Sequence, residues 1–296
     1  MRTHTYRSTQ VRIIHALKRT GLYILVFGIL AFSLAPILWA LISSISLPVE
    51  LLTVPPHWIP HQPTLKNYIT LLHPVARGLE LGAYEFNRSI LNSFIASGVT
   101  TVLCLVIGSI TAYAYARLEF PGREASFLLI IFTQMLPSVA LIIPIYILFY
   151  KLKLLDTLIG LILVYSTFTL PFVVWVMKGY FQAIPRELED AARVDGCGRL
   201  GALFRIVLPL SSPGLVATGI FAFLGAWGEF FLTVVLASTT NSKTVTLVLA
   251  EFSGVYKADY GLITTAGILA SIPPILLALF FGDLLVEGLT AGGVKG

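Results

Sequence analysis

Acidic residues are sparse in this chain of 296, fifteen in all, and only a few stand where a carboxylate could do chemistry. Glu187, Glu189, Asp190 and Asp195 crowd into one short segment, Ile184–Gly196. Glu229 stands alone, well inside an apolar run. His4, His15, His57, His61 and His73 all fall outside the apolar runs and give no metal-ligand spacing. Cys104 lies in an apolar run and Cys197 in a basic loop, so they provide neither a disulfide nor a metal site. The sequence contains no His-Glu-x-x-His and no Gly-x-x-x-x-Gly-Lys-Ser/Thr, the patterns of zinc proteases and of phosphate-cradling loops. The clustered carboxylates therefore suit charge pairing at a docking surface, not bond breaking.

That segment reads as a short helix with defined ends. Pro185 suits a first turn, where its missing N–H costs nothing. Glu187, Glu189 and Asp190 sit at the positive end of the helix dipole. Glu189 and Arg193 are spaced as an i,i+4 pair with the acid first, the better orientation. Gly196 can end the helix and turn the chain. A second helix then leads through Phe204-Arg205-Ile206-Val207-Leu208 to Pro209. Ala191, Ala192 and Gly196 remove bulk from one end of this hairpin, while Val194, Leu200, Leu203 and Phe204 supply apolar anchors. Such a knob fits a groove on a soluble partner.

The elements that must carry the knob follow from composition. Hydrophobic residues make up 56% of the chain and charged residues 12%, about half the charged share of a soluble domain. Six stretches reach the roughly 20 apolar residues that a spanning helix needs: Leu22–Ile45, Ile90–Ala116, Phe127–Phe149, Leu158–Met177, Ile206–Ala237 and Ile263–Leu285. They lack period-two alternation, so the chain reads as an all-α integral membrane protein with six transmembrane helices. The fifth stretch is too long for one straight helix and is expected to start on the surface and enter the membrane near Pro213. Pro137, Pro144, Pro171, Pro213 and Pro273–Pro274 are each able to kink a span. The first stretch is too long for a secretory signal core and reads as a retained helix.

Six spans put both termini on one side. Placing them in the cytoplasm sets Arg12, Lys18, Arg19, Arg117, Arg123, Arg186, Arg193, Arg199 and Arg205 inside, the positive-inside direction. The expected organisation is a cytoplasmic segment 1–21, one transmembrane domain 22–287 and a cytoplasmic tail 288–296. Within the domain, 46–87 and 238–260 are long external loops and 179–205 is the cytoplasmic loop that carries the knob. The proline-rich loop 46–87 reads as a packed irregular lid, either a docking surface for an external partner or a cap over the bundle. No basic face interleaved with aromatics points to nucleic acid.

Asp190-Ala191-Ala192, Gly196, Ile206 and Leu208-Pro209 resemble the cytoplasmic coupling motif of ABC importer permeases: Glu-Ala-Ala, three residues, Gly, nine residues, Ile, one residue, Leu-Pro. Asp190 in place of Glu is the one departure. Asn92-Ser93, Ala112-Tyr113-Ala114-Tyr115-Ala116-Arg117, Phe120-Pro121-Gly122, Trp227-Gly228-Glu229-Phe230 and Gly288–Gly296 are similar to the carbohydrate-uptake branch, closest to the second permease of maltose-type systems; Gly228 departs from the usual Asn. The resemblance implies a non-enzymatic permease subunit in a bacterial inner membrane. Its implied partners are a second homologous permease, two ATPase subunits that bind ATP and Mg, an external solute-binding protein or lipoprotein, and membrane lipid; this chain would bind no cofactor itself.

On that resemblance, Glu189, Asp190, Ala191, Ala192, Asp195, Gly196, Ile206, Leu208 and Pro209 couple to the ATPase. An intramembrane carboxylate is a functional candidate by default; the resemblance gives Glu229, with Trp227, a place in helix packing or the gate. Gly292 and Lys295 are candidates for a tail contact with the ATPases. The substrate class implied is a di- or oligosaccharide of the maltose or trehalose type. The alternatives are a non-sugar solute such as a glycerol phosphate, or an ion-coupled secondary transporter, for which Glu229 is the only intramembrane ionisable candidate.

Overall fold

The computed structural model describes residues 3–54, 57–72, 80–254 and 260–291. All regular structure among the described residues is helical. Among the described residues, four helices are long and apolar enough to cross a membrane: α1 (Thr3–Ser44), α4 (Glu80–Arg117), α7 (Leu158–Ala183) and α14 (Tyr260–Ala291). Two further crossings exist only if bent helix pairs are counted as one each. α5 (Arg123–Thr133) and α6 (Ser138–Lys151) meet at 94°, and Arg199–Leu210 meets α11 (Ser212–Trp227) at 82°.

The expected continuous helix Phe127–Phe149 is thus corrected to a broken pair. Pro137 lies at the boundary that starts α6, in extended backbone, and a residue before proline disfavours helical geometry. The Gln134 side chain at this break reaches α7, where its Nε2 donates to Phe168 O at 2.7 Å. The expected break near Pro213 is present as the second of these bends. That stretch breaks again after Trp227, before α12 (Phe231–Leu236). Pro144, Pro171 and Pro273–Pro274 sit inside unbroken helices.

The chain forms two compact units, 1–69 with 259–268 and 70–258 with 269–296. In the first, α1 exposes its most apolar stretch completely. Ser44 gathers the loop that follows α1: Asn67 Nδ2 donates to Ser44 O at 3.0 Å, Thr265 Oγ1 to the same oxygen at 3.2 Å, and Ser44 Oγ lies 2.8 Å from Tyr68 Oη. Two short helices, α2 (Pro48–Leu51) and α3 (Lys66–Leu72), interrupt this otherwise irregular segment.

The second unit is built on α4 packed against α7. Its core joins Cys104, Ala112 and Ala116 of α4 to Val173, Met177 and Phe181 of α7 and to Leu203 and Val207. The two helices approach closely at Gly108, where a Cβ would stand 2.6 Å from Val173 Cγ1. A helix not expected from sequence, α13 (Val245–Gly254), fills the 238–260 loop and buries Val245, Leu247, Val248 and Phe252. Its apolar run is too short for a span and suits a buried segment instead.

Candidate functional site: the hairpin between α7 and α11

The helix expected after Pro185 is α8 (Arg186–Val194), with Glu187 and Glu189 in its first turn and Arg193 in its last. It ends in a Schellman arrangement: Gly196 N donates to Arg193 O at 3.1 Å and Cys197 N to Ala192 O at 3.0 Å. Gly196 has φ +89, and no atom lies within 4 Å of a Cβ built on it. The constraint at this position is the left-handed backbone, not lack of space. Asp195, the C-cap residue, is exposed.

Gly198 then begins α9 (Arg199–Ala202), which runs into a π-helical turn, Leu203–Val207, and α10 (Leu208–Leu210). Ile206 lies in the π turn and Pro209 in α10. Proline lacks the N–H for the carbonyl four residues back and its ring crowds that carbonyl; a widened turn immediately upstream relieves both. Leu203 and Val207 are buried and Leu208 packs on the same core, which ties the second arm of the hairpin to α4 and α7.

The acids of the hairpin divide into two kinds. Glu189 is buried and forms an ion pair with Arg117 Nε; both side chains are 7% exposed. Its other oxygen accepts from Tyr113 Oη at 2.9 Å, and Arg117 Nη2 donates to Ile184 O at 2.8 Å. Asp190 is exposed and faces Arg193 at 3.6 Å. The expected Glu189–Arg193 pair is therefore corrected: Arg193 pairs with Asp190, and Glu189 turns inward to a partner on another helix. Local spacing has no knowledge of Arg117, 72 positions earlier in the chain. Tyr113 and Arg117 were legible only as part of a family-like run; their i,i+4 spacing at the polar end of an apolar span is the signal for a shared role.

Around these acids the knob presents Leu188, Val194, Leu200 and Phe204 to solvent, Val194 with 88% of its surface exposed. Ala191 is exposed and Ala192 half-buried. Small residues beside apolar projections give a close-fitting surface for another protein.

Trp227 and Glu229 lie elsewhere. Trp227 is buried, donates Nε1 to Ala270 O at 3.2 Å, and packs against Phe223 and Phe94. Glu229 sits in the break between α11 and α12, where Oε1 accepts from Leu232 N at 3.0 Å and its carbonyl accepts from Thr246 Oγ1 at 2.8 Å. The first contact holds a free amide at the start of α12, as a cap does, and the second ties the break to α13. A groove of about 740 Å³ lies between α4, α11 and α14, walled by side chains such as Ile90, Phe94, Leu105, Val216, Ile272 and Leu276; Thr101, its polar lining side chain, donates its hydroxyl to Ser97 O at 2.7 Å. Gly292 and Lys295 fall outside the described residues.

At the opposite end of α7, Asp156 was not singled out by the sequence. Its carboxylate accepts from Ser238 N, Thr239 N, Thr239 Oγ1 and Ser242 Oγ at 2.6–3.0 Å. Burial pushes this carboxyl up, but the hydroxyls of Thr239 and Ser242 and the two amides outweigh it and hold it below the ordinary carboxylate value. Asn92, buried on α4, donates to Thr240 O and Lys243 O at 3.0 and 2.9 Å, and Ser93 Oγ accepts from Val245 N at 2.8 Å. Asn92-Ser93 thus anchors the 238–260 segment.

Residues 104–290 match the family model described as "Binding-protein-dependent transport system inner membrane component". The chain is 35% identical over 268 residues to the sulfoquinovosyl glycerol transport system permease protein SmoH of Agrobacterium fabrum, covering 90% of this chain and 91% of that one. It is 35% identical over 270 residues to the trehalose transport system permease protein SugB of Mycobacterium tuberculosis, covering 90% and 94%. It is 31% identical over 281 residues to the trehalose/maltose transport system permease protein MalG of Thermococcus litoralis, covering 95% and 98%. A chain of the solved bacterial ABC transporter that imports the acidic polysaccharide alginate shares the fold, with a TM-score of 0.76 at 21% identity over 92% of this chain and 96% of that one. The hairpin, α7 and the end of α4 that carries Tyr113 and Arg117 lie within residues 104–290, and the chain belongs to the family of binding-protein-dependent transport system inner membrane components.

Proposed function

We propose that this chain is one of two related permease subunits of an ATP-driven importer for a di- or oligosaccharide of the trehalose or maltose type. It forms half of the passage, lies in a bacterial inner membrane with both termini in the cytoplasm, and couples to two separate ATPase subunits that bind ATP and Mg. An external solute-binding protein delivers the sugar. The observation that carries this reading is the hairpin: braced from behind by a buried ion pair, it turns Leu188, Val194, Leu200 and Phe204 outward. Exposed apolar side chains on a rigid knob need a groove to fill, and a subunit that closes on ATP can then move the bundle as a body. The broken α5–α6 pair adds support, because irregular backbone at membrane depth persists only where it lines a wet cavity or is covered by protein. The sugar class rests on relatives named for trehalose and trehalose/maltose transport.

The test is purification of the chain by its own tag, with uptake of labelled trehalose and maltose into vesicles. An ATPase should co-purify, orthovanadate should stop uptake, and Leu200→Glu should release the ATPase. Uptake that ignores vanadate and follows an ion gradient would overturn the reading in favour of a secondary transporter.

A further inference from the structure

We infer that Tyr113, Arg117 and Glu189 form a latch that makes α8 and α4 move as one body, so that force applied at the hairpin is delivered into α4. The inference rests on the reading of the hairpin as the seat of an ATPase, and it reassigns Glu189 from that partner's surface to a contact within this chain.

The covalent connections of α8 are poor carriers of force. On one side the chain leaves α7 through extended backbone, Ile184 with ψ 129 and Pro185 with ψ 134. On the other it turns at Gly196 with φ +89 and resumes helix only after Gly198. A push on α8 would be absorbed by these bends. The side chains provide a second path. The Arg117 guanidinium holds both Ile184 O, at the end of α7, and the Glu189 carboxylate on α8. A planar fork with several fixed donors is suited to clamping two acceptors in one geometry. Tyr113, one turn back on α4, takes the other carboxylate oxygen and so resists rotation about the ion pair.

Three features set the latch apart from a chance surface pair. It is almost wholly buried, whereas Asp190, the next residue, is exposed and pairs only with its own helix. Breaking a buried pair strands a charge, so the closed state is strongly preferred to an open one. α4, with 38 residues, is a rod of about 57 Å, so motion entering at Arg117 travels the depth of the bundle. Arg117 and Tyr113 are therefore positioning residues: both are buried against Glu189 and act through the orientation of α8.

The test uses the purified complex with its co-purified ATPase, with Cys197→Ser and the buried Cys104 retained. Spin labels at Val102 on α4 and Arg186 on α8, both exposed, report whether the two helices keep one separation. In the otherwise unaltered protein the distance distribution should be narrow and shift by less than about 2 Å between nucleotide-free and vanadate-trapped states, the scale of small helix adjustments. Glu189→Gln should broaden it at least about twofold and lower the uptake obtained per ATP hydrolysed, because the charge that fixes the fork is gone. Exchanging the charges, Arg117→Glu with Glu189→Arg, should narrow the distribution again, although each single exchange broadens it; a role in filling space alone would not respond in this way. If Glu189→Gln does not assemble, Tyr113→Phe removes one hydrogen bond and no charge and should broaden the distribution by a smaller factor. A wild-type distance that changes by several ångströms on trapping, or a Gln variant as narrow and as well coupled as the wild type, would overturn the latch. A preparation without any ATPase would count against the proposed function, while the nucleotide-free comparison would still decide the latch.

Discussion

The two ends of α7 each hold an ordered carboxylate, and they satisfy it by different means. Glu189 meets an opposite charge on a neighbouring spanning helix, with a phenol completing the set. Asp156 meets no cation among the described residues; two amides and two hydroxyls of one loop surround it. The first arrangement joins two long elements and brings a desolvation cost that only a well-formed pair repays. The second closes a loop with neutral dipoles at a partly solvated site. One end is built to transmit, the other to hold shape.

The sharpest way to break this comparison is to strand a charge. Arg117→Ala should destabilise the folded chain by about 3–5 kcal/mol, read as thermal unfolding in detergent by tryptophan fluorescence; a loss as small as that of a surface pair would erase the distinction. Gly196→Val should cost about 1–2 kcal/mol, because the left-handed backbone is unfavourable for any residue with a Cβ. Gly196→Ala should share most of that loss, since the space around the position is open. Equal stability of the two variants with wild type would remove the backbone argument.

Asp156→Asn should cost about 1 kcal/mol at neutral pH, below the roughly 1.5–3 kcal/mol of a hydrogen bond to a charged group because the site is partly solvated. Its pH dependence sharpens the contrast. The folded carboxyl titrates below its ordinary value, so its stabilisation is complete above about pH 4 and is lost as pH falls through the folded value, where the unfolded chain binds the proton first. The gap between wild type and Asn should therefore close in acid; a gap that widens would contradict the assigned hydrogen bonds. The smallest effect belongs to Asp190→Ala, about 0.5 kcal/mol or less, because its pair with Arg193 is exposed. Adjacent acids, Glu189 and Asp190, should thus differ several-fold in what their loss does to melting.

The parts of the fold legible in sequence are those set by local rules. Pro185, the acids behind it and Gly196 specified α8 and its end, and an 82° bend precedes Pro213. Local rules failed where distant residues decide. Glu189 has Arg193 four positions on, yet Arg117 wins because α4 brings it into a dry site. The prolines teach the same lesson: Pro137 and Pro213 stand at helix starts and accompany breaks, while Pro144 and Pro171 are carried inside helices that neighbouring turns hold straight enough to continue. Helix α13 was hidden because the short apolar stretch of a ten-residue segment between two spans gives no sign of whether it folds back on them.

The groove between α4, α11 and α14 has a consequence for traffic. A molecule covered in hydroxyls would have to shed its hydration there, and walls of Ile, Leu, Phe and Val return nothing for it. Such a trough repels a wet cargo as firmly as the membrane interior does. A hydroxyl-rich cargo needs a face of this chain other than that trough.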